Sequence, residues 1–189
     1  MAVKILGLSG SVSRPSRTTS LVREILARFA DDDRWETRLI EFADAAPQLF
    51  TALARPQLQG KAAEIVSAVE QADLLVVGTP VYRASYTGAL KHLFDLVHHQ
   101  YFSGKPVILA ATGGTPLHGL VTEHELRPLF GFLNALTLPT TLYAVEQDFV
   151  DYQLSNLSIS ARIDRAAAEA KAQLALRFGQ PSPQLAAAE

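Results

Sequence analysis

The sequence predicts a doubly wound α/β fold, in which a parallel sheet carries helices on both of its faces. Three observations predict it. Short apolar runs recur five times along the 189 residues, three of these runs are apolar at nearly every position, and segments with helical periodicity separate them. Interior strands of a parallel sheet are buried on both faces, and the helices that connect them pack on both sides of the sheet.

The five predicted strands cover residues 3–8, 37–41, 73–78, 106–111 and 140–144. The first, third and fourth have the nearly continuous apolar sequence that is typical of interior strands. The second alternates between polar and apolar residues, as expected of an edge strand. Five strands in a chain of this length favour the flavodoxin-like order 2-1-3-4-5.

Five segments with helical periodicity lie between or after these strands. A fourth, long segment covers residues 117–136 and contains Pro128, and a fifth covers residues 160–178 and ends at Gly179, a residue typical of helix C-termini. The apolar stripes of the first three helices are Leu21, Val22, Ile25, Leu26 and Phe29, then Ile65, Val66 and Val69, then Leu90, Leu93, Phe94 and Val97.

Two segments lack a regular pattern. Residues 42–61 contain Pro47, Pro56 and Gly60 and are predicted to form a long surface loop. Residues 180–189 are predicted to be a flexible tail, which leaves a single domain over residues 1–179.

Composition excludes several classes of protein. Lys and Arg number 17 against 19 Asp and Glu, and a formal charge of -2 gives no support to non-specific nucleic-acid binding. The chain has no cysteine, which excludes disulfides, thiolate metal sites and cysteine nucleophiles. No segment has the apolar length of a membrane span, and the first residues lack the apolar stretch of a signal peptide. We expect a cytoplasmic protein that binds neither membranes nor nucleic acids.

The segment after the first strand has the composition of a phosphate-binding loop. Residues 9–20, Ser-Gly-Ser-Val-Ser-Arg-Pro-Ser-Arg-Thr-Thr-Ser, contain seven hydroxyls and two guanidinium groups and lead into the first helix. A helix N-terminus offers partial positive charge and free N–H groups, and phosphate also accepts hydrogen bonds from hydroxyls and arginine. Helix capping by Thr18 or Thr19 would explain only one of these residues. The Walker A and dinucleotide patterns are both absent.

Two further loops follow strands that end at the same edge of the sheet, where ligands of parallel sheets bind. Residues 78–88, Gly-Thr-Pro-Val-Tyr-Arg-Ala-Ser-Tyr-Thr-Gly, form a stiff loop whose backbone amides are predicted to face a flat ring. Residues 111–116 contain paired glycines, which permit close approach of the backbone to a ligand. Each loop alone also fits an ordinary turn. Together the three loops predict a mononucleotide site, and FMN fits it better than a dinucleotide.

These three segments resemble the NAD(P)H-dependent FMN reductases, in particular the reductase component of two-component alkanesulfonate monooxygenases of the methanesulfonate type, from about residue 3 to residue 178. The resemblance implies a flavodoxin-like fold and a homodimer or homotetramer. It also implies that NADH or NADPH reduces free FMN, which passes to a partner FMNH2-dependent monooxygenase. By motif, the phosphate would contact Ser11, Arg17, Thr19 and Ser20, and the ring would contact Pro80, Val81, Tyr82, Arg83, Thr112, Gly113 and Gly114.

One departure from the family pattern concerns the phosphate. Relatives often have arginine two residues after the Gly-Ser pair, where this chain has Ser13. Because Arg14 is adjacent, the sequence leaves open whether Arg14 or Arg17 binds the phosphate. Hydride transfer between nicotinamide and flavin needs no acid–base residue, and none is predicted.

The resemblance also singles out His124. In sulfonate-system relatives the fourth helix carries a π-bulge at an inserted aromatic residue, and His124 falls at that position, between Glu123 and Glu125. Such bulges often mark functional sites, so His124 would modulate flavin exchange near a subunit interface. The alternative is a solvated histidine between two acids. A metal site is not expected, because His118 and His124 would lie about 240° apart around a helix.

Two rival functions remain at this stage. One is a quinone, azo or chromate reductase that keeps its FMN tightly bound, and the other is a flavodoxin-type electron carrier, against which the small net charge argues. A phosphorelay receiver is excluded, because Gly78, Thr79 and Pro80 end the third strand where a receiver has Asp. Apolar residues 130, 132, 133 and 136 on the fourth helix exceed what one sheet face covers and favour an oligomer.

Overall fold

The computed structural model describes residues 2–30 and 32–179, and the predicted tail over residues 180–189 lies outside this range. Within it, the main sheet contains only parallel pairs, in the order β2-β1-β3-β4, and the fifth position is shared by two short strands that both pair with β4. The predicted order 2-1-3-4-5 is therefore confirmed. The strands are β1 (Val3–Ser9), β2 (Trp35–Glu41), β3 (Leu74–Pro80), β4 (Pro106–Gly113), β5 (Leu136–Thr137) and β6 (Leu142–Val145).

Helices cover both faces of this sheet. They are α1 (Arg17–Ala27), α2 (Phe42–Leu49), α3 (Gly60–Gln71), α4 (Gly88–Leu96), α5 (Arg127–Phe132) and α6 (Leu157–Phe178). A small antiparallel hairpin of β7 (Phe149–Val150) and β8 (Gln153–Leu154) precedes α6 and was not predicted. None of the helices in residues 2–30 and 32–179 combines the length and the apolar character that crossing a bilayer requires.

Successive residues of the interior strands are buried on opposite faces of the sheet. On β1, Leu6 and Leu8 pack with α2, α3, α4 and α5, whereas Ile5 packs with α1 and α6. The residues predicted as apolar stripes of the first three helices are all buried. Two separate apolar layers thus explain why β1, β3 and β4 are apolar at nearly every position.

The close approach of α1 to the sheet requires a glycine on β3. A Cβ atom on Gly78 would lie 2.4 Å from Val22 Cγ2 on α1. Because α1 starts just after β1 and packs this closely, its N-terminus lies at the carboxyl edge of the sheet.

The prediction of a long surface loop over residues 42–61 was wrong. The first part is α2, the second contains a short 3-10 helix at Arg55–Gln57, and α3 begins at Gly60. Phe42, Ala45, Ala46 and Leu49 form a buried face at helical spacing, and Pro47 lies on the exposed face near the end of α2. Burial of that face outweighs the one backbone hydrogen bond that the proline removes.

The prediction of a single long helix over residues 117–136 was also wrong. A 3-10 helix at Pro116–His118, a π-helix at Thr122–Leu126 and α5 replace it, and Pro128 lies in the first turn of α5, where it is well tolerated. The predicted apolar surface of this segment divides in two. Phe130 and Leu133 belong to the core, whereas Phe132 is 83% exposed and Leu136 43% exposed.

Candidate functional site

A cleft of about 320 Å³ lies at the carboxyl ends of β1, β3 and β4, where the sequence predicted a ligand. Its volume falls at the lower end of the range of small-molecule sites. The residues that line it are Ser11, Ser13, Pro15, Ser16, Arg17, Thr18, Pro80, Val81, Tyr82, Thr112, Gly113, Gly114, Glu146 and Tyr152. Eight of the eleven predicted ligand-binding residues are among them: Ser11, Arg17, Pro80, Val81, Tyr82, Thr112, Gly113 and Gly114.

The start of α1 forms one end of the cleft. Ser16 is the N-cap residue, and its hydroxyl oxygen accepts a hydrogen bond from Thr19 N at 3.2 Å. The N–H groups of Arg17 and Thr18, which line the cleft, have no partner within the helix, and such groups favour an anion. Ser11 adds a hydroxyl that is almost completely buried. Its Oγ makes two long contacts, a hydrogen bond of 3.3 Å that it donates to the carbonyl oxygen of Ser13 and a contact of 3.5 Å with the Ser13 hydroxyl.

The two arginines of the loop have different surroundings. The Arg14 guanidinium donates to Glu41 at 3.1 Å and to both carboxylate oxygens of Asp44 at 2.6 and 2.8 Å, and Arg14 does not line the cleft. Arg17 lines the cleft and pairs with the exposed Glu146. The structure therefore favours Arg17 as the arginine that can reach a phosphate.

Hydrogen bonds between the loops hold the cleft together. The Thr18 and Thr112 hydroxyls lie 2.6 Å apart, which connects α1 to β4. The Thr87 hydroxyl donates to the carbonyl oxygen of Gly10 at 2.9 Å, and Val81 N donates to the carbonyl oxygen of Thr112 at 2.8 Å. Hydrogen bonds within the chain thus connect all three loops.

The loop after β3 differs from the prediction in one respect. The N–H of Val81 donates to Thr112 and that of Tyr82 donates to Ser85 at 2.9 Å, so neither amide is available to a flat ring. Arg83 and Ala84 form the tip of this loop with φ angles of 51° and 67°, a conformation that residues other than glycine rarely adopt. The loop offers the cleft its side chains instead, including the half-exposed Tyr82 ring.

The two glycines after β4 have different roles. A Cβ on Gly113 would lie 2.0 Å from the hydroxyl oxygen of Tyr143, so this glycine is required by packing within the protein. That hydroxyl donates to the carbonyl oxygen of Thr115 at 2.6 Å, and burial raises the pKa of Tyr143, which keeps it protonated. A Cβ on Gly114 would have no neighbour within 4 Å, which leaves room for a ligand there.

Three predicted residues do not line the cleft. Thr19 is buried, and its hydroxyl lies 2.8 Å from that of Ser9. Thr19 and Ser20 border a neighbouring groove that shares Pro15, Ser16 and Tyr152 with the cleft. Arg83 is exposed at the tip of its loop. The first two residues of α1, Arg17 and Thr18, line the cleft, whereas the third and fourth, Thr19 and Ser20, border the neighbouring groove.

Sequence reasoning missed Glu146 and Tyr152. Glu146 follows β6, and Tyr152 lies in the turn of the β7–β8 hairpin, with the Arg17 guanidinium 5.0 Å from the centre of its ring. The rule that ligands lie beyond the carboxyl ends of strands also applies to the fifth strand, so it would have selected Glu146. The Tyr152 position depends on a hairpin of two-residue strands, which leaves little signal in a sequence.

The π-helix contains His124 at its centre, as the resemblance implied. His124 is exposed, and both neighbouring acids have partners. Glu123 accepts hydrogen bonds from Arg127 and Thr141, and the Arg127 hydrogen bond lowers the pKa of Glu123. Glu125 accepts a hydrogen bond from Ser85 at 2.8 Å, which connects the π-helix to the loop after β3.

The residues of the cleft fit FMN. Hydroxyls, free helix N–H groups and Arg17 lie at one end and suit a phosphate, while Tyr82, Val81 and the open space at Gly114 lie toward the other and suit a flat ring. In the described residues, no group of three or more His, Asp or Glu side chains is arranged to bind a metal ion.

The chain is similar to known proteins over most of its length. The profile of the family described as NADPH-dependent FMN reductase matches residues 3–149. The NADH-dependent FMN reductase SfnF of Pseudomonas fluorescens is 49% identical over 172 residues, which are 91% of this chain and 91% of that protein. An FMN reductase (NADPH) of Pseudomonas aeruginosa is 46% identical over 171 residues, which are 90% of this chain and 91% of that protein.

Solved structures agree with these relationships. An oxidoreductase from Corynebacterium diphtheriae superposes with a TM-score of 0.81 at 33% identity, covering 93% of this chain and 98% of that chain. An archaeal flavodoxin superposes with a TM-score of 0.59 at 10% identity, covering 89% of this chain and 99% of that chain, and shows the fold alone. The predicted flavodoxin-like fold is therefore confirmed.

Proposed function

Because this chain belongs to the NADPH-dependent FMN reductase family, we propose that it catalyses the reduction of FMN by NADH or NADPH. The observation that carries the proposal is the cleft, in which a hydroxyl-rich helix N-terminus with Arg17 lies opposite the Tyr82 ring and the open space at Gly114. FMN would supply the hydride-accepting ring and the nicotinamide the hydride.

The residues of the chain bind and orient in this proposal. Ser11, the first N–H groups of α1 and Arg17 bind the phosphate and fix the position of the flavin. Tyr82 and Val81 pack against the ring, and the backbone at Gly114 approaches it closely enough to stabilise negative charge that develops there. No side chain needs to act as an acid or base, since solvent can supply the proton.

We also propose that the protein is a homo-oligomer. Leu117 is 89% exposed, Leu120 61% and Phe132 83%, and these residues flank the π-helix. Apolar side chains exposed this far are typical of surfaces that a partner covers. Light scattering should give a multiple of the 20.5 kDa chain mass, and a mass near 20 kDa at micromolar concentration would contradict the proposal.

His124 is proposed to keep the flavin exchangeable, so that FMN acts as a substrate passed to a partner monooxygenase in the cytoplasm. The Ser85–Glu125 hydrogen bond supports this role, since it gives the π-helix a direct connection to the ring side of the cleft. Deletion of His124 should restore a regular helix and increase flavin retention. A deletion variant that purifies without flavin and keeps the parent turnover would contradict this role.

The decisive experiment follows the oxidation of NADH and of NADPH with and without added FMN. Oxidation that requires free FMN supports the proposal. Oxidation without added FMN, by a protein that retains FMN through gel filtration and reduces quinones faster than free flavin, would support a quinone, azo or chromate reductase instead. Flavin binding with no oxidation of either nucleotide would indicate an electron carrier.

A further inference from the structure

Glu146 is the carboxylate among the residues that line the cleft, and it lies at the end that suits a phosphate. Its side chain is 69% exposed and pairs with Arg17, whose side chain is 33% exposed. An exposed carboxylate that occupies the phosphate-binding arginine is unexpected in an anion site, because it repels the anion and competes for its cation.

The position of Glu146 is fixed by its neighbours in the fold. Glu146 starts a 3-10 helix, Glu146–Asp148, directly after β6. Asp148 is buried and accepts hydrogen bonds from Val145 N at 2.7 Å and from Asn156 Nδ2 at 2.6 Å. These bonds tie the short helix to the end of β6 and to the start of α6. Glu146 is thus held at the cleft by a buried network that does not include its own carboxylate.

Tyr152 limits where Arg17 can go. Its ring lies 5.0 Å from the guanidinium carbon, from the side of the β7–β8 hairpin. Arg17 is therefore in contact with an aromatic face while it pairs with Glu146, and a phosphate at the N-terminus of α1 lies within the same small region. Binding of a phosphate must replace Glu146 as the partner of Arg17 or share the guanidinium with it.

We propose that Glu146 is a specificity-determining residue that weakens the binding of the flavin phosphate by competing for Arg17. This inference rests on the proposed function. It gives a physical reason why FMN would leave the cleft after reduction, because Glu146 lowers the affinity of the cleft for the phosphate. A phosphate monoester carries about 1.5 to 2 negative charges at neutral pH. It therefore competes with Glu146 for Arg17 and is repelled by the Glu146 carboxylate. Neither applies to a flavin without phosphate.

The test is the variant Glu146→Gln, which keeps the size of the side chain and removes its charge. Dissociation constants for FMN and for riboflavin are measured by flavin fluorescence at low and high salt. The variant frees Arg17 for the phosphate and removes the repulsion between the phosphate and the carboxylate, so FMN should bind roughly 3- to 10-fold more tightly at low salt. Riboflavin should bind within twofold of the wild type, and added salt should reduce the gain for FMN.

Asp164→Asn is the matched control, since Asp164 is an exposed carboxylate that pairs with Arg28 and lies outside the cleft. It changes the net charge equally and should leave both dissociation constants unchanged. In an Arg17→Ala background, the gain in FMN affinity from Glu146→Gln should fall by at least half, because Glu146 and the phosphate no longer compete for the Arg17 guanidinium.

Three results would overturn the inference: FMN affinity within twofold of the wild type, equal tightening for both flavins, or the same tightening in Asp164→Asn. If Glu146→Gln is poorly folded by thermal denaturation, Glu146→Ala tests the same loss of charge. Failure of the proposed function has a different signature, which is a wild-type protein that binds neither flavin and oxidises neither nucleotide.

Discussion

Replacement of Arg17 by alanine tests the placement of the phosphate most directly. Arg17 is the arginine that lines the cleft, whereas Arg14 is held by Glu41 and Asp44. A hydrogen bond from a charged donor contributes about 1.5–3 kcal/mol. In the free protein, however, Arg17 already pairs with Glu146, and an exposed pair of this kind is worth about 0.2–1 kcal/mol.

The expected loss is the difference between these two contributions. FMN binding should weaken by roughly 0.5–2.8 kcal/mol, which corresponds to a dissociation constant about 2- to 110-fold higher. Riboflavin, which lacks the phosphate, should bind the variant and the wild type equally well. The measurement is a fluorescence titration of each flavin against both proteins at the same ionic strength.

Arg14→Ala serves as the control for the Arg17 variant. It removes the same charge from the same loop, but its partners on β2 and α2 keep it out of the cleft. Its dissociation constant for FMN should stay within about twofold of the wild type. An unchanged constant in Arg17→Ala, or a larger loss in Arg14→Ala, would refute the placement of the phosphate beside Arg17.

Three further outcomes are expected. Ser85→Ala removes the hydrogen bond between the loop after β3 and Glu125 on the π-helix, and like deletion of His124 it should increase flavin retention, with a KM for FMN about 2- to 10-fold lower and little change in melting temperature. An unchanged KM would show that this bond does not connect the π-helix to flavin binding. Gly78→Ala forces a Cβ against Val22 and should destabilise the fold by about 1–3 kcal/mol in urea, whereas Gly114→Ala has open space and should leave stability unchanged. Burial lowers the pKa of Lys105 to about 8, so the unfolded chain binds more protons between pH 8 and 10.5. The wild type should therefore gain up to about 2–3 kcal/mol of stability relative to Lys105→Met as pH rises through that window, and a parallel pH profile of the two proteins would contradict it.

The sequence predicted the cleft well because strand ends determine it. Each parallel strand is an apolar run that is easy to locate, and the residues that follow it must meet at one edge of the sheet. Ser11, Pro80 and Thr112 could be placed together on this basis without knowledge of any side-chain conformation, and all three line the cleft. The direction of a side chain within a helix is harder to predict, and Thr19 and Ser20 border the neighbouring groove and not the cleft itself.

The features that sequence reasoning did not predict depend on contacts between residues that are far apart in the sequence. The prolines of residues 42–61 favoured a loop, but tertiary burial of Phe42 and Leu49 stabilised α2. That helix in turn supplies Asp44, which pairs with Arg14 and so favours Arg17 as the arginine that can reach a phosphate. An error in one element thus left open a question about the site that lies more than twenty residues away in sequence.

The hydrogen bonds among the loops suggest where binding of a flavin costs free energy. Thr18 is bonded to Thr112, Thr87 to Gly10 and Val81 to Thr112, so hydrogen bonds within the chain itself fix the walls of the cleft and reduce the ordering that a ligand must impose. Arg17 is the exception, since a phosphate that binds there must replace Glu146 as its partner or share the guanidinium with it. The cost of binding therefore falls on one exposed ion pair, whose strength depends on salt. The affinity for FMN should then be set at this pair, whereas the shape of the ring site is set by the sheet.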